Sequence, residues 1–260
     1  MLCTGFLVSP PPVPASGRQE THWSFPAKSL VELTTVTAPC SVEQGGGDGI
    51  RVAITSPAAT AGLIVPSYME LTDTLILNES VDPSAAASSG ARWSIRVPPH
   101  VRVRFRSSSG SLTVGPAELT LVAETVSGSI HVEGVTGQMQ LSTRTGSIDA
   151  RRVALTGESG FGSESGNLSV SLARAPTGNL FLYTKSGTAA LDCGSAPLRG
   201  TFHLEAREPE GKITSTPPFD RMEIVDRSGT KFRVGTVGNG EEAPLVRILT
   251  ATGAATLLAR

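Results

Sequence analysis

Six copies of one short phrase pace most of this chain, and their spacing limits what it can fold into. Each copy has a hydroxyl residue, a variable residue, a second hydroxyl residue, glycine, a small residue and then an apolar one. The copies are Ser107-Ser-Ser-Gly-Ser-Leu112, Thr125-Val-Ser-Gly-Ser-Ile130, Thr143-Arg-Thr-Gly-Ser-Ile148, Ser163-Glu-Ser-Gly-Asn-Leu168, Thr184-Lys-Ser-Gly-Thr-Ala189 and Thr250-Ala-Thr-Gly-Ala-Ala255. Weaker copies sit at Gly211 and Gly229, and successive glycines from 110 to 253 are 18, 18, 20, 21, 24, 18 and 24 residues apart. Short alternating segments repeated at a period near 20 are the mark of stacked rungs, each too small to bury its own apolar face. The spacing therefore predicts an all-β, single-chain parallel β-helix (β-solenoid) with rungs of about 18–24 residues, expected to be right-handed.

Registering the copies on their glycines defines columns. Seven residues before each glycine stand Val103, Leu121, Met139, Leu180, Leu204 and Val246; five before stand Phe105, Ala123, Leu141, Phe161, Leu182, Ala206 and Ile248. Two after come Leu112, Ile130, Ile148, Leu168, Ala189 and Ala255, and four after come Val114, Val132, Ala150, Val170, Leu191 and Leu257. Alternate residues of a strand share a face, so these columns are expected to point inward and stack. The two hydroxyl columns, Ser107-Thr125-Thr143-Ser163-Thr184 and Ser109-Ser127-Thr145-Ser165-Ser186, have the same parity and are both expected inside as ladders. The glycines are expected at sharp bends, where positive φ needs no Cβ. Gly137, Gly157 and Gly178 mark a second corner. Pro244 and the atypical N-terminal segment are the candidates for capping the open ends.

Residues 1–28, with Pro10, Pro11, Pro12 and Pro14, read as a proline-rich leader or linker; 29–260 form the solenoid, with capping rungs over 29–92 and regular rungs over 93–260. Ser84–Gly90 is a low-complexity loop, and almost no helix is expected. The net charge of −1 gives no reason to expect nucleic acid as a partner, and no apolar run approaches a membrane span. Met1–Pro14 lacks a basic start and makes a poor signal peptide as written. Cys3, Cys40 and Cys193 are an odd set without CxxC spacing, which speaks against zinc or a disulfide framework.

The repeated Ser/Thr-x-Ser/Thr-Gly-Ser/Asn-Ile/Leu phrase is one of three features that resemble a known group. The others are the opening module Val31–Thr37 with Ser41-Val-Glu43 and Gly49–Val52, and the segment Trp93–Gly110 with its Pro98-Pro99 break. Together they resemble the bacterial putative-adhesin β-strand-repeat family of unknown function, related to the head-GIN-type autotransporter adhesins. Ala38-Pro39 departs from that pattern where glycine is usual. Glu208-Pro209-Glu210 departs where hydroxyls are usual, and one rung is expected to be distorted there. The resemblance implies a β-helix, an extracytoplasmic or cell-surface location, and no established reaction or cofactor.

No constellation of residues reads as catalytic, cofactor-binding or metal-binding. His131, Asp149 and Ser169 each lie three residues after a glycine and should stack outward on successive rungs. Their order defeats a hydrolytic triad, because the histidine must stand between the other two. His22, His100, His131 and His203 show no metal spacing, and Gly45–Gly49 is a turn rather than a phosphate loop. The Arg102, Arg104, Arg106 stripe has no interleaved aromatics for nucleic-acid stacking. Acids such as Asp149, Asp192, Asp220, Asp226, Glu133 and Glu164 are scattered; charges alternate over Arg144, Glu164 and Lys185, and again at Glu133 and Arg151.

Two readings of function follow. One is a non-enzymatic structural or adhesion module presenting a rigid β face to a protein or glycan partner. The other is a polysaccharide hydrolase or lyase on the same scaffold, which would need a cleft with at least two unpaired carboxylates.

Overall fold

A computed structural model describes residues 17–57, 64–81, 90–238 and 244–260. The chain is all-β, with no helix among the described residues. Its strands form two long ladders. Ladder A runs in space through β1 (Arg18–Phe25), β4 (Ile50–Pro57), β7 (Arg92–Val97), β3 (Cys40–Gln44), β9 (Leu112–Val114), β11 (Ile130–Glu133), β14 (Ile148–Leu155), β16 (Leu168–Leu172), β18 (Thr188–Asp192), β24 (Ala254–Leu258) and β20 (Lys212–Ser215). Ladder B runs through β5 (Ile64–Glu70), β6 (Thr74–Val81), β2 (Leu30–Thr35), β8 (Val101–Ser107), β10 (Ala117–Thr125), β13 (Met139–Thr143), β15 (Ser159–Ser163), β17 (Leu180–Thr184), β23 (Leu245–Thr250), β19 (Thr201–Arg207), β22 (Thr230–Val237) and β21 (Arg221–Arg227). A short third side pairs the start of β10 with β12 (Val135–Gly137) and β12 with the end of β14.

The middle of both ladders is parallel, and each strand pairs with the strand one repeat away. Leu121 faces Val103 on one side and Met139 on the other; Ile148 lies between Ile130 and Leu168. Every residue of the four apolar columns is buried, most of them completely. Burying an aliphatic side chain fully contributes about 1.5–3 kcal/mol, so the stacked columns are the main source of stability.

The hydroxyl columns part company. Thr35, Ser107, Thr125, Thr143, Ser163, Thr184 and Thr250 are buried. Their hydroxyls serve the corner: Ser163, Thr184 and Thr250 donate to the carbonyls of Gly146, Gly166 and Gly187 at 3.2, 2.9 and 3.2 Å. The second column, Ser109, Ser127, Thr145, Ser165 and Ser186, is exposed, contrary to the expectation from parity. The chain turns between the two columns, and strand alternation does not carry across a corner. Each exposed hydroxyl donates instead to a main-chain carbonyl of the previous rung, as Ser127 does to Ser108 O at 3.2 Å.

The glycines also need another explanation. Gly110, Gly128, Gly146, Gly166 and Gly253 do not have positive φ. A Cβ on any of them would come under 3.0 Å from the carbonyl oxygen of the corner residue on the neighbouring rung. The corner backbones stack too closely for a side chain. Gly187 (φ 146°) is the member of the column that does lie in the left-handed region. Of the second-corner glycines, Gly137 combines positive φ (149°) with a close approach to Leu119.

Three expectations about the ends are corrected. Residues 18–25, within the segment read as a leader, form β1 and pair antiparallel with β4. Pro244 precedes β23 in mid-stack, where its carbonyl accepts from Thr201 N at 3.1 Å, so it caps nothing. Gly229 (φ 81°) sits in the turn of the antiparallel β21–β22 hairpin and belongs to no rung. The ends are covered by β1, β4 and β5 on one side and by β22 and β21 on the other.

Stacking also departs from chain order at both ends. The rung β2–β3 lies between β6–β7 and β8–β9, and the rung β23–β24 lies between β17–β18 and β19–β20. At the distorted rung, Phe202, Leu204 and Ala206 face Val246, Ile248 and Thr250. Leu204 and Ala206 therefore stand two places from the columns assigned by counting back from Gly211. The segment Glu208-Pro209-Glu210 lengthens that corner, and an even shift keeps the same side chains inward.

The degenerate first corner is completed by a buried acid. Glu79 follows Asn78, the partner of Thr34, and so continues the buried hydroxyl column on β6. Its carboxyl group accepts from the main-chain N–H of Thr37 and Ala38 at 3.3 and 3.4 Å, and from Trp93 Nε1 at 3.2 Å. Trp93 is itself fully buried, beside Trp23 of the end layer. Glu79→Leu strands three donors, two of them buried, and is expected to cost about 2–4 kcal/mol, with Glu79→Gln intermediate. Urea unfolding monitored by tryptophan fluorescence checks this. Equal midpoints for Glu79→Leu and wild type would show that the acid holds nothing.

Candidate functional site

Ladder B presents its outer face through the residues between the buried columns. Four before each glycine, and in direct register, stand Arg106, Glu124, Ser142, Gly162 and Tyr183, with Thr34 beyond Arg106. Side-chain bulk along this column falls from arginine to none at Gly162, then rises at Tyr183. Between this column and the outward residues two before each glycine (Ser108, Val126, Arg144 and Glu164) lies a groove of about 610 Å³ that crosses the strands from Thr34 to Tyr183. A Cβ on Gly162 would meet nothing within 4 Å, whereas Gln140 lies over Gly160. Tyr183 is half-exposed (48%), and Phe181 lies beside Gly160 on the same strand pair.

The charges around this groove are matched. Arg106 Nε lies 3.3 Å from Glu124 Oε2, and Arg144 Nε lies 3.3 Å from Glu164 Oε2 at the lip. Arg104 pairs with Glu32 at 2.7 Å. Two members of the arginine stripe on β8 are thus neutralised by acids on the adjoining rungs. Such exposed pairs contribute about 0–1 kcal/mol each, so their main consequence is a face with little net charge.

His131, Asp149 and Ser169 stack in register on the outer face of ladder A, as their spacing requires. His131 Nδ1 is 3.8 Å from Asp149 Oδ2, and Asp149 also receives Arg151 Nη2 at 2.7 Å. The Asp149 hydrogen bond and charge push the exposed Arg151 guanidinium above its ordinary value. Asp149 sits in the middle, so no nucleophile–base–acid relay forms. Glu133 faces Arg151 in the ladder, yet its carboxylate pairs with Arg152, which an irregularity between Ala150 and Val153 swings outward (φ 51°).

The remaining candidates are dispersed. His22 and His100 make surface contacts to Glu20 and Glu118 at 3.4 and 3.6 Å. Burial, assisted by the charge of Arg247, holds His203 below its ordinary value. Cys40 and Cys193 are free and buried; burial pushes the Cys193 thiol up to about 11 and Cys40 higher still, which disfavours the thiolate in both. Cys3 and the loop 84–89 fall outside the described residues. Among the described residues no three His, Cys, Asp or Glu side chains are grouped to hold a metal, and no helix is long and apolar enough to cross a membrane. A second hollow of about 260 Å³ lies over Gly45–Gly49, beside Arg51, Arg96 and Glu43. It opens no helix, which leaves the turn reading of these glycines in place.

The groove is not legible from the buried columns, because it is built from the outward residues that stand between them. The signal was present as Gly160 and Gly162 at outward strand positions beside Phe181 and Tyr183.

No family model and no curated protein matches the chain. Solved structures do. A structure named as a putative adhesin from Bacteroides fragilis NCTC 9343 is similar over 94% of this chain and 97% of its own, with 13% identity and a TM-score of 0.49. A putative cell adhesion protein from Clostridium sporogenes ATCC 15579 covers 94% of this chain and 100% of its own, at 10% identity and a TM-score of 0.34. A protein from Parabacteroides distasonis ATCC 8503 named as a putative lipid-binding protein covers 94% and 96%, at 10% identity and a TM-score of 0.43. At such low identities and superposition scores, no property of these proteins is transferred to this chain.

Proposed function

We propose that the chain is a β-solenoid binding module, non-enzymatic and displayed outside the cytoplasm, whose rigid outer face engages a protein or glycan partner. The ladders described above are its walls: strands one repeat apart pair in parallel, with four shared apolar columns between them. The observation that carries the functional part is the charge pairing on ladder B. Both carboxylates bordering the groove, Glu124 and Glu164, have an arginine at 3.3 Å. Glycoside hydrolysis uses two carboxyl groups free to flank the scissile bond, and here each is engaged by an arginine.

The test is incubation with a panel of plant and bacterial polysaccharides, with product release measured as new reducing ends and as unsaturated sugar. Wild type, Glu124→Gln and Glu164→Gln are all expected to match the protein-free blank. Release by wild type that disappears in either variant would replace this reading with the glycan-processing one.

A further inference from the structure

The groove across ladder B also indicates what kind of partner it takes. We propose that it binds an extended, uncharged glycan lying across the rungs, with Tyr183 as the stacking surface and Gly162 as the floor. The inference rests on the binding-module reading above and narrows it to one partner class at one site.

Four observations support it. First, the bordering charges are already paired, Arg106 with Glu124 and Arg144 with Glu164, so a charged ligand gains no unmatched counter-charge. Second, the groove runs perpendicular to the strands, whose main-chain groups are used in the ladder. A peptide therefore cannot join as an additional strand there, which removes the usual source of affinity for extended peptides on sheets. Third, the chemistry displayed is the half-exposed Tyr183 ring, the equally exposed Val126 side chain, bare backbone at Gly162 and hydroxyl groups such as Ser142. That combination suits a molecule with an apolar ring face and hydroxyls around its rim; pockets characteristically pair apolar contact with a few orienting polar groups. Fourth, the groove crosses six strands, β2 to β17, and five intervals of about 4.8 Å give a length near 24 Å. Such a length accommodates a chain of several sugar units, each advancing by roughly one rung, rather than a single sugar.

Affinity electrophoresis of the full chain through gels containing soluble mixed-linkage β-glucan, galactomannan or polygalacturonate tests this, followed by calorimetry with oligosaccharides of the retarding polymer. Retardation is expected with a neutral polymer and not with polygalacturonate. Tyr183→Ala should weaken binding at least tenfold, and Gly162→Gln, which fills the floor, should abolish it. Arg151→Ala on ladder A should leave binding unchanged, and circular dichroism melts confirm that each variant is folded. The proposal is overturned if folded wild type is retarded by neither neutral polymer. It is equally overturned if Tyr183→Ala and Gly162→Gln bind as wild type does. In both cases the binding-module reading survives, since it fails only on product release.

Discussion

Deleting residues 245–260 is expected to abolish cooperative folding instead of trimming one end. The segment is last in the chain but not last in the stack. β23 lies between β17 and β19, and β24 between β18 and β20, so both edges of this rung are paired. Val246, Ile248, Ala255 and Leu257 are fully buried within it. Three of these are large aliphatics worth about 1.5–3 kcal/mol apiece, before two parallel ladders are counted. That loss rivals the whole net stability of an ordinary domain, about 5–15 kcal/mol. The layer formed by β19, β22 and β21 would also lose the strand on which it docks. Far-UV circular dichroism and limited proteolysis check this, with a broad, non-cooperative melt expected. A truncated protein that melts near the wild-type temperature, with 201–237 still protected, would show that β19 can dock directly on β17.

A single methyl group at a corner glycine is expected to have the second-largest effect. In Gly166→Ala the new Cβ would come under 3.0 Å from the carbonyl carbon and oxygen of Gly146, and from the Ser163 hydroxyl. None of these can retreat. The carbonyl is fixed in the stacked corner, and the hydroxyl is the buried donor to that same oxygen. The rungs must separate or the corner must unwind, which places this change among the exceptional substitutions at about 3–5 kcal/mol. For a chain of this size that corresponds to a drop in melting temperature of roughly 6–20 °C. Gly162→Ala, only four residues away, is the internal control. Its Cβ points into open space on the outer face, so the change should be neutral or stabilising by about 0.5–1 kcal/mol. Calorimetry on the two variants separates the explanations. Similar melting temperatures would mean that close stacking is not why glycine holds the corner.

Ala38 clarifies why one corner can do without glycine. Each corner residue points its Cβ position toward the preceding rung in the stack, as Gly110 does toward Ala38. At Ala38 the N–H goes to the Glu79 carboxyl group of β6, whereas the N–H groups of Gly110 and Gly146 go to the buried hydroxyls of Ser107 and Thr143 on their own rungs. The exception in the sequence and the buried acid are thus two sides of one local solution.

How much of this was legible beforehand depended on whether the physics was local. A period near 20, together with strict alternation inside each strand, determined the all-β class, the pairing of one repeat with the next, and the identity of the buried apolar columns. Those follow because side-chain direction within a strand depends only on parity. The stacking order of His131, Asp149 and Ser169 followed from the same register. The tertiary structure alone decided what lies beyond a corner or between distant segments. It placed one hydroxyl column inside and the other in solvent, assigned the glycines to close stacking, and set the terminal rung within the stack. It also sculpted the groove from residues on six strands, where a glycine in one rung matters only because of what stands on the next. Alternation is written along the chain, but a corner, an inserted rung and a groove exist only between rungs.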